Sequence, residues 1–243
     1  MFKPGAVTLG VLVLAGALAL PARGEHEGDL WIGVSSVGQL KLSPAGFEPD
    51  ESWAAVVVLS PGGGLFPGWT GNNPGFDDVE TDSPVIDTYT LEVGANIWLD
   101  VVALDEALYV WNAQLQHFGP GQMAHLGSAP ADIHTHLIWH IYSLDPSFDA
   151  LCVHWNGAFR LVDTGGTGYA ASEPFTMVFS NVECRLGDID ASGQVDYADI
   201  DPFVAVLSDA AGATAEQRCA ADADLDGYVG YGDIDAFVAL IGG

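Results

Sequence analysis

The C-terminal part of this 243-residue chain is an internal duplication, and that repeat dictates what the region can become. Residues 187–208, GDIDASGQVDYADIDPFVAVLS, align without gaps on residues 221–242, ADADLDGYVGYGDIDAFVALIG, with eleven of the 22 positions identical. The shared residues include Asp188, Asp190, Gly193, Val195 and Asp199 in the first copy, and Asp222, Asp224, Gly227, Val229 and Asp233 in the second.

This is the spacing of a calcium loop. A calcium ion takes six to eight oxygens at roughly 2.3–2.6 Å, so a short loop must fold back and offer carboxylates from positions 1, 3 and 5. Position 6 turns sharply, which Gly193 and Gly227 permit. Position 7 supplies a backbone carbonyl, from Gln194 and Tyr228, and position 12 supplies the last acid, Asp199 and Asp233. Position 5 is Ser192 in one copy and Asp226 in the other. After each loop the apolar residues recur at helical spacing: Ile200, Phe203, Val204 and Leu207, then Ile234, Phe237, Val238 and Ile241. Thr214 and Gln217 have the spacing that caps a small connecting helix.

The paired D-x-D-x-[SD]-G-x-V-x-x-x-D loops, each followed by one helix, resemble a type I dockerin domain over residues 187–243. No helix ahead of either loop is evident from the pattern, which fits the loop–helix repeats of that family. The resemblance implies two bound calcium ions and a cohesin-like protein module, or another cell-surface component, as partner. It also implies contact through loop positions 10 and 11, here Tyr197, Ala198, Tyr231 and Gly232. Leu225 departs from the small or polar residue usual at position 4. Proteins with such modules often carry a polysaccharide-degrading or carbohydrate-binding body, so a polysaccharide is a second candidate partner and a glycoside hydrolase the enzyme class to consider.

The chain has 33 Asp plus Glu against 6 Lys plus Arg, a formal net charge of −27. That balance argues against nucleic acid or anionic membrane surfaces as partners, which require clustered Lys and Arg. Only 16% of residues are charged and 49% are hydrophobic, so a packed core is expected. At the N-terminus Lys3, the apolar run 6–20 and Pro21-Ala22-Arg23-Gly24 have the form of a signal peptide over residues 1–24. No second run of that kind follows, so the expectation is a secreted or cell-surface protein without a membrane span. Cys152, Cys184 and Cys219 remain; pairing of Cys184 with Cys219 is favoured, although spacing alone does not fix connectivity.

Residues 25–185 alternate with period two between Gly, Pro, Asn and Asp clusters, as all-β domains do. Candidate strands are 30–34, 54–60, 87–93, 97–104, 108–111, 134–142, 151–155, 159–162 and 175–180. The expected fold is therefore mainly β, a β-sandwich body followed by a small α-helical dockerin-like domain at 186–243. The segments 61–78 and 119–132 read as long loops. Trp98, Trp139 and Trp155 read as core, and Trp69 as the best exposed ring for stacking on a sugar. Asp163-Thr164-Gly165 matches the aspartic-protease tripeptide but has no second copy and reads as a turn. There is no G-x-S-x-G, H-E-x-x-H or C-x-x-C, and no catalytic residue is assigned.

In His134-Thr-His-Leu-Ile-Trp-His140, read as one strand, three histidines share a face. Same-face neighbours lie about 6.6 Å apart, so His134 and His136 can reach one zinc or copper ion, while His140, about 13 Å from His136, cannot. A third ligand would come from His26, His117, His125 or His154. His134, His136 and Trp139 also resemble the H-x-H-x-x-W signature of a bacterial surface-anchored domain family. Leu108-Tyr-Val-Trp111, Phe118-Gly-Pro-Gly121 and the 175–179 strand fit its pattern, whereas His140-Ile141 replaces the usual Phe-Ser or Phe-Thr. This resemblance implies an exported β-domain more than it implies chemistry.

The expected readings are thus a non-catalytic exported assembly protein, a polysaccharide-active or carbohydrate-binding protein carrying the same module, and a zinc- or copper-handling protein. With Ser192 in place of an acid, the first loop has one fewer negative charge and is expected to bind calcium more weakly. Calcium titration should resolve two unequal affinities; indistinguishable ones would contradict this assignment.

Overall fold

The computed structural model describes residues 29–43, 56–129 and 133–242. The signal-like segment 1–24, His26 and the start of the candidate strand 54–60 lie outside these residues. In chain order the strands are β1 Leu30–Val34, β2 Leu40–Ser43, β3 Val57–Val58, β4 Ser60–Pro61, β5 Gly68–Gly71, β6 Phe76–Asp78 and β7 Asn96–Leu104. Then come β8 Leu108–Trp111, β9 His117–Phe118, β10 Met123–Ser128, β11 His134–Thr135, β12 Ile138–Tyr142, β13 His154–Asp163 and β14 Phe175–Ser180. Three helices follow, α1 Ile200–Ser208, α2 Ala215–Ala221 and α3 Asp233–Ile241. The protein is mainly β with a small helical C-terminal part, and among the described residues no helix is long and apolar enough to cross a membrane.

Three sheets build the body, in the orders β11-β6-β1-β2, β10-β7-β13-β14-β3 and β4-β5-β12-β8-β9. Alternation places Ile97, Leu99 and Val101 of β7 and Phe159 and Leu161 of β13 in the core with no exposed surface. Trp139 of β12, also fully buried, crosses to the other five-stranded sheet, its ring 5.6 Å from Phe159 and 5.1 Å from Phe179. It also lies 6.4 Å from Phe76 in the four-stranded sheet. All three sheets therefore share one core.

Several strand expectations are corrected. Residues 87–93 form no strand: a short 3-10 turn at Pro84–Ile86 precedes Thr88 and Tyr89, which make only isolated bridges. Residues 151–155 and 159–162 are not separate strands, because a turn leads into the single ten-residue β13. The apparent loops 61–78 and 119–132 contain β5, β6 and β10. β5 depends on a residue of low strand propensity: Gly68 has φ +117°, and a Cβ there would lie 2.2 Å from the Ile141 carbonyl oxygen. The stretch 134–142 is broken at His136-Leu137, with β11 pairing with β6 and β12 pairing with β5 and β8 in another sheet.

In the C-terminal part Phe203 and Phe237, equivalent residues of the two copies, stack at 4.2 Å among Ile189, Val206, Ala220 and Ala221. Thr214 and Gln217 form the expected capping box of α2. That helix runs directly into the second loop, so only this loop, and not the first, has a preceding helix. Cys184 and Cys219 form a disulfide that closes a 35-residue separation, which constrains the unfolded chain by about 3–4 kcal/mol. Cys152 is free and buried, and burial pushes its thiol up to about 12.

Trp139→Ala removes the ring on which all three sheets pack and should destabilise the protein by about 3–5 kcal/mol in urea unfolding.

Candidate functional site

Each duplicated loop folds its first, third and twelfth residues together. One carboxylate oxygen each from Asp188, Asp190 and Asp199 lie within 4.8 Å of one another, as do those of Asp222, Asp224 and Asp233. Backbone amides hold the acids in equivalent ways. Asp199 accepts from the Asp190 and Asp196 amides at 3.1 and 3.0 Å, and Asp233 accepts from the Asp224 and Gly230 amides at 3.1 and 2.7 Å. Gly193 and Gly227, with φ +86° and +101°, make the turn at position 6. Position 4 is left-handed in both copies, Ala191 at φ +57° and Leu225 at φ +62°, so the departure at Leu225 leaves the loop backbone unchanged in kind.

The remaining expected ligands are less tightly gathered. The Ser192 hydroxyl donates to the Gln194 carbonyl at 3.3 Å, which brings the position 5 and position 7 oxygens together. Asp226 is outside the acidic cluster, and its Oδ1 accepts from the Tyr228 amide at 3.0 Å. The Tyr228 side chain turns back onto the body, where burial and then its neighbours Cys152 and Asp149 push its hydroxyl up to about 12. Tyr197, Ala198, Tyr231 and Gly232 are all exposed.

The two loops differ in what surrounds their first acid. Asp188 accepts at both oxygens from its own loop, Oδ1 from the Ser192 amide and Oδ2 from the Gly193 amide, each at 2.9 Å. Asp222 is fully buried against the β body: its Oδ2 accepts from the Gly227 amide at 2.9 Å and from His154 Nδ1 of β13 at 2.7 Å. Its Oδ1 is buried with no hydrogen-bond partner. A buried carboxylate oxygen without a donor is costly unless a cation faces it. The second loop therefore fits a hard cation on more than spacing. Asp233 shows the same electrostatic tension, since burial, with the charges of Asp222 and Asp224 acting the same way, raises its carboxyl to about 6.

Hydrogen bonds to backbone carbonyls fasten the second loop and the helix before it to the body. The Val153 amide donates to the Gly227 carbonyl at 3.1 Å, Asn156 Nδ2 donates to the Leu225 carbonyl at 2.9 Å, and Arg218 Nη2 donates to the Ala150 carbonyl at 3.2 Å.

A separate cluster lies in the body. His134 and His136 do come together, their ring centroids 5.1 Å apart, and among the described residues the third group beside them is Asp29 and not His117, His125 or His154. His125 bonds Asn96, His117 packs on Tyr109 and Trp111, and His154 bonds Asp222. His140 is buried beside Phe66 with its Nε2 3.1 Å from the Pro67 carbonyl, and burial holds its imidazole below the ordinary value. No pattern in the sequence links Asp29 to the histidines, because it precedes β1 while they flank the end of β11.

Three other expectations concern surface chemistry. Trp69 is half-buried and stacked on Phe148 at 5.9 Å, so it is not the exposed sugar platform expected. Trp98 is also half-buried and lines a cleft instead of sitting in the core. Asp163 serves a turn, its Oδ1 accepting from the Asn96 and Gly165 amides at 2.8 Å.

No family model, curated protein or solved structure matches the chain.

The asymmetry between the loops can be measured at their glycines. A Cβ on Gly193 meets nothing within 4 Å, whereas one on Gly227 lies 2.7 Å from the His154 carbonyl oxygen and 3.0 Å from Cys152 Sγ. Both alanine variants bear the left-handed strain of about 1–2 kcal/mol. Gly227→Ala should lose roughly 1–3 kcal/mol more in denaturant unfolding, and equal losses would contradict docking of the second loop on β13.

Proposed function

We propose that this is an exported, non-catalytic assembly protein whose C-terminal module binds two calcium ions and docks the β body to a protein partner. The observation that carries the reading is Asp222, whose buried Oδ1 lacks a donor at the head of an acidic loop that the chain repeats. Asp188, Asp190, Ser192, Asp199 and the Gln194 carbonyl would hold one ion. Asp222, Asp224, Asp226, Asp233 and the Tyr228 carbonyl would hold the other. All are oxygen donors, the set a hard cation takes.

Calcium here would act by neutralising carboxylates that otherwise repel one another and by fixing the start of α1 and α3. Those helices offer a face for a partner. Tyr197 and Tyr231 are 77% and 85% exposed, and Ile200 and Val204 in one copy match Ile234 and Val238 in the other as further exposed apolar residues. Such a repeated pair of aromatic-led patches suits a cohesin-like protein surface, since aromatic side chains give large contact area at low entropic cost.

Isothermal titration of chelator-stripped protein should give two calcium ions per chain, and removal of calcium should reduce the helical circular dichroism signal. Absence of binding at about millimolar calcium, the weak end of calcium-module affinities, would overturn the proposal.

A further inference from the structure

We propose a third metal site, in the β body, in which Asp29, His134 and His136 hold a borderline divalent ion of the zinc class. It is independent of the acidic loops and does not rest on their binding calcium.

The argument begins with Asp29, which is 3% exposed. Its Oδ1 accepts from the Gly75 amide at 2.9 Å, which fixes the carboxylate, while its Oδ2 is buried with no hydrogen-bond partner. That oxygen lies 3.6 Å from His136 Nε2 and 4.0 Å from His134 Nδ1. His136 Nδ1 is 2.8 Å from the Asn72 carbonyl oxygen. A carbonyl only accepts, so Nδ1 carries a proton and Nε2 is the ring nitrogen turned toward the carboxylate. A cation between Nε2 and the buried Asp29 Oδ2 would give that oxygen the partner it lacks. A second proton on the ring would do so too, but His134 adds another donor to the same space. One ring nitrogen of each histidine and one Asp29 oxygen lie within 4.8 Å of one another.

The surroundings resemble the outer shell of a metal site. The Asn72 carbonyl orients His136, the kind of partner that sets the tautomer of a ligating imidazole, and Asp77 Oδ2, 3.4 Å from His134 Nδ1, brings a second carboxylate beside the same space. Gly75 is required for the approach: a Cβ there would lie 2.6–2.8 Å from atoms of the His136 ring. A cleft of about 540 Å³, lined by Trp98, Gln114, Gln116 and His125, opens beside both histidines and gives an entry path.

The donor set selects the ion. Two imidazoles with a carboxylate and no thiolate suit zinc and its neighbours, whereas calcium and magnesium favour all-oxygen sites. Zinc–ligand bonds of about 2.0–2.1 Å place tetrahedral donors about 3.4 Å apart, close to the spacing already present between His136 and Asp29.

The test is zinc titration of the chelator-stripped full chain with calcium held saturating, alongside visible absorption with cobalt(II) as a spectroscopic probe. One equivalent of zinc beyond calcium is expected, with an intense tetrahedral-type cobalt band. Asp29→Asn and His134→Ala should each weaken zinc binding by at least about tenfold. Calcium uptake and circular dichroism should be unchanged. The His134 side chain is 37% exposed, so its removal leaves the core intact if the Asp29 variant fails to fold. Uptake of less than about 0.2 equivalents of zinc by the wild type would overturn the site. So would wild-type affinity in His134→Ala. Loss of calcium uptake with zinc binding retained would count against the loop reading alone.

Discussion

The three sheets of the body meet at the indole of Trp139, and much of the molecule depends on that ring being both buried and hydrogen-bonded. Its faces and edges pack against Phe76, Phe159 and Phe179, one partner in the four-stranded sheet and two in the opposite five-stranded sheet. Its Nε1–H donates to the Pro74 carbonyl at 3.1 Å, so the polar atom of a fully buried side chain is satisfied. That bond also pins the segment 72–75. The Asn72 carbonyl orients His136 and the Gly75 amide holds Asp29. His136 and Trp139 of the H-x-H-x-x-W stretch therefore act on one connection from two sides, which is a physical reason for them to occur together.

At the other end, electrostatics divides the duplicated loops. Both fold their acids together through backbone amides, but the second is pressed onto β13 while Asp188 in the first is held by its own loop alone. Burial against His154 removes water from Asp222 and leaves one of its oxygens without a donor. Residues 186–243 carry 12 acids and one base, and eight of those acids stand at loop positions 1, 3, 5, 9 or 12. The acidity that weighs against nucleic acid as a partner is thus concentrated where a cation is proposed.

The parts of the fold legible from the sequence are runs of four or more residues rich in β-branched, aromatic and aliphatic side chains. Residues 108–111 and 175–180 coincide with β8 and β14, and 97–104 misses only the first residue of β7. The strands that went unread are short or edge elements. β5 contains two glycines, β9 has two residues, and β10 is interrupted by a bulge between His125 and Gly127. Such strands exist because a partner strand offers hydrogen bonds, a property of the partner and not of their own side chains. Residues 87–93 are the converse case, with strand-forming composition but only isolated bridges.

The same distinction separates what the sequence determined from what required the tertiary structure. The acidic loops could be read because positions 1 to 12 lie within a few turns of chain, so the acids and the turning glycine must appear at fixed spacing. The capping box of α2 and the helical spacing of apolar residues in α1 and α3 follow from similarly short-range patterns. The third group beside His134 and His136, and the bond from His154 to Asp222 across 68 residues, had no such signature. Groups brought together from distant strands meet through sheet order and register, which no periodicity encodes. Only the folded chain decided that Asp29 stands beside the histidine pair and that the first acid of one of two similar loops is buried against the body.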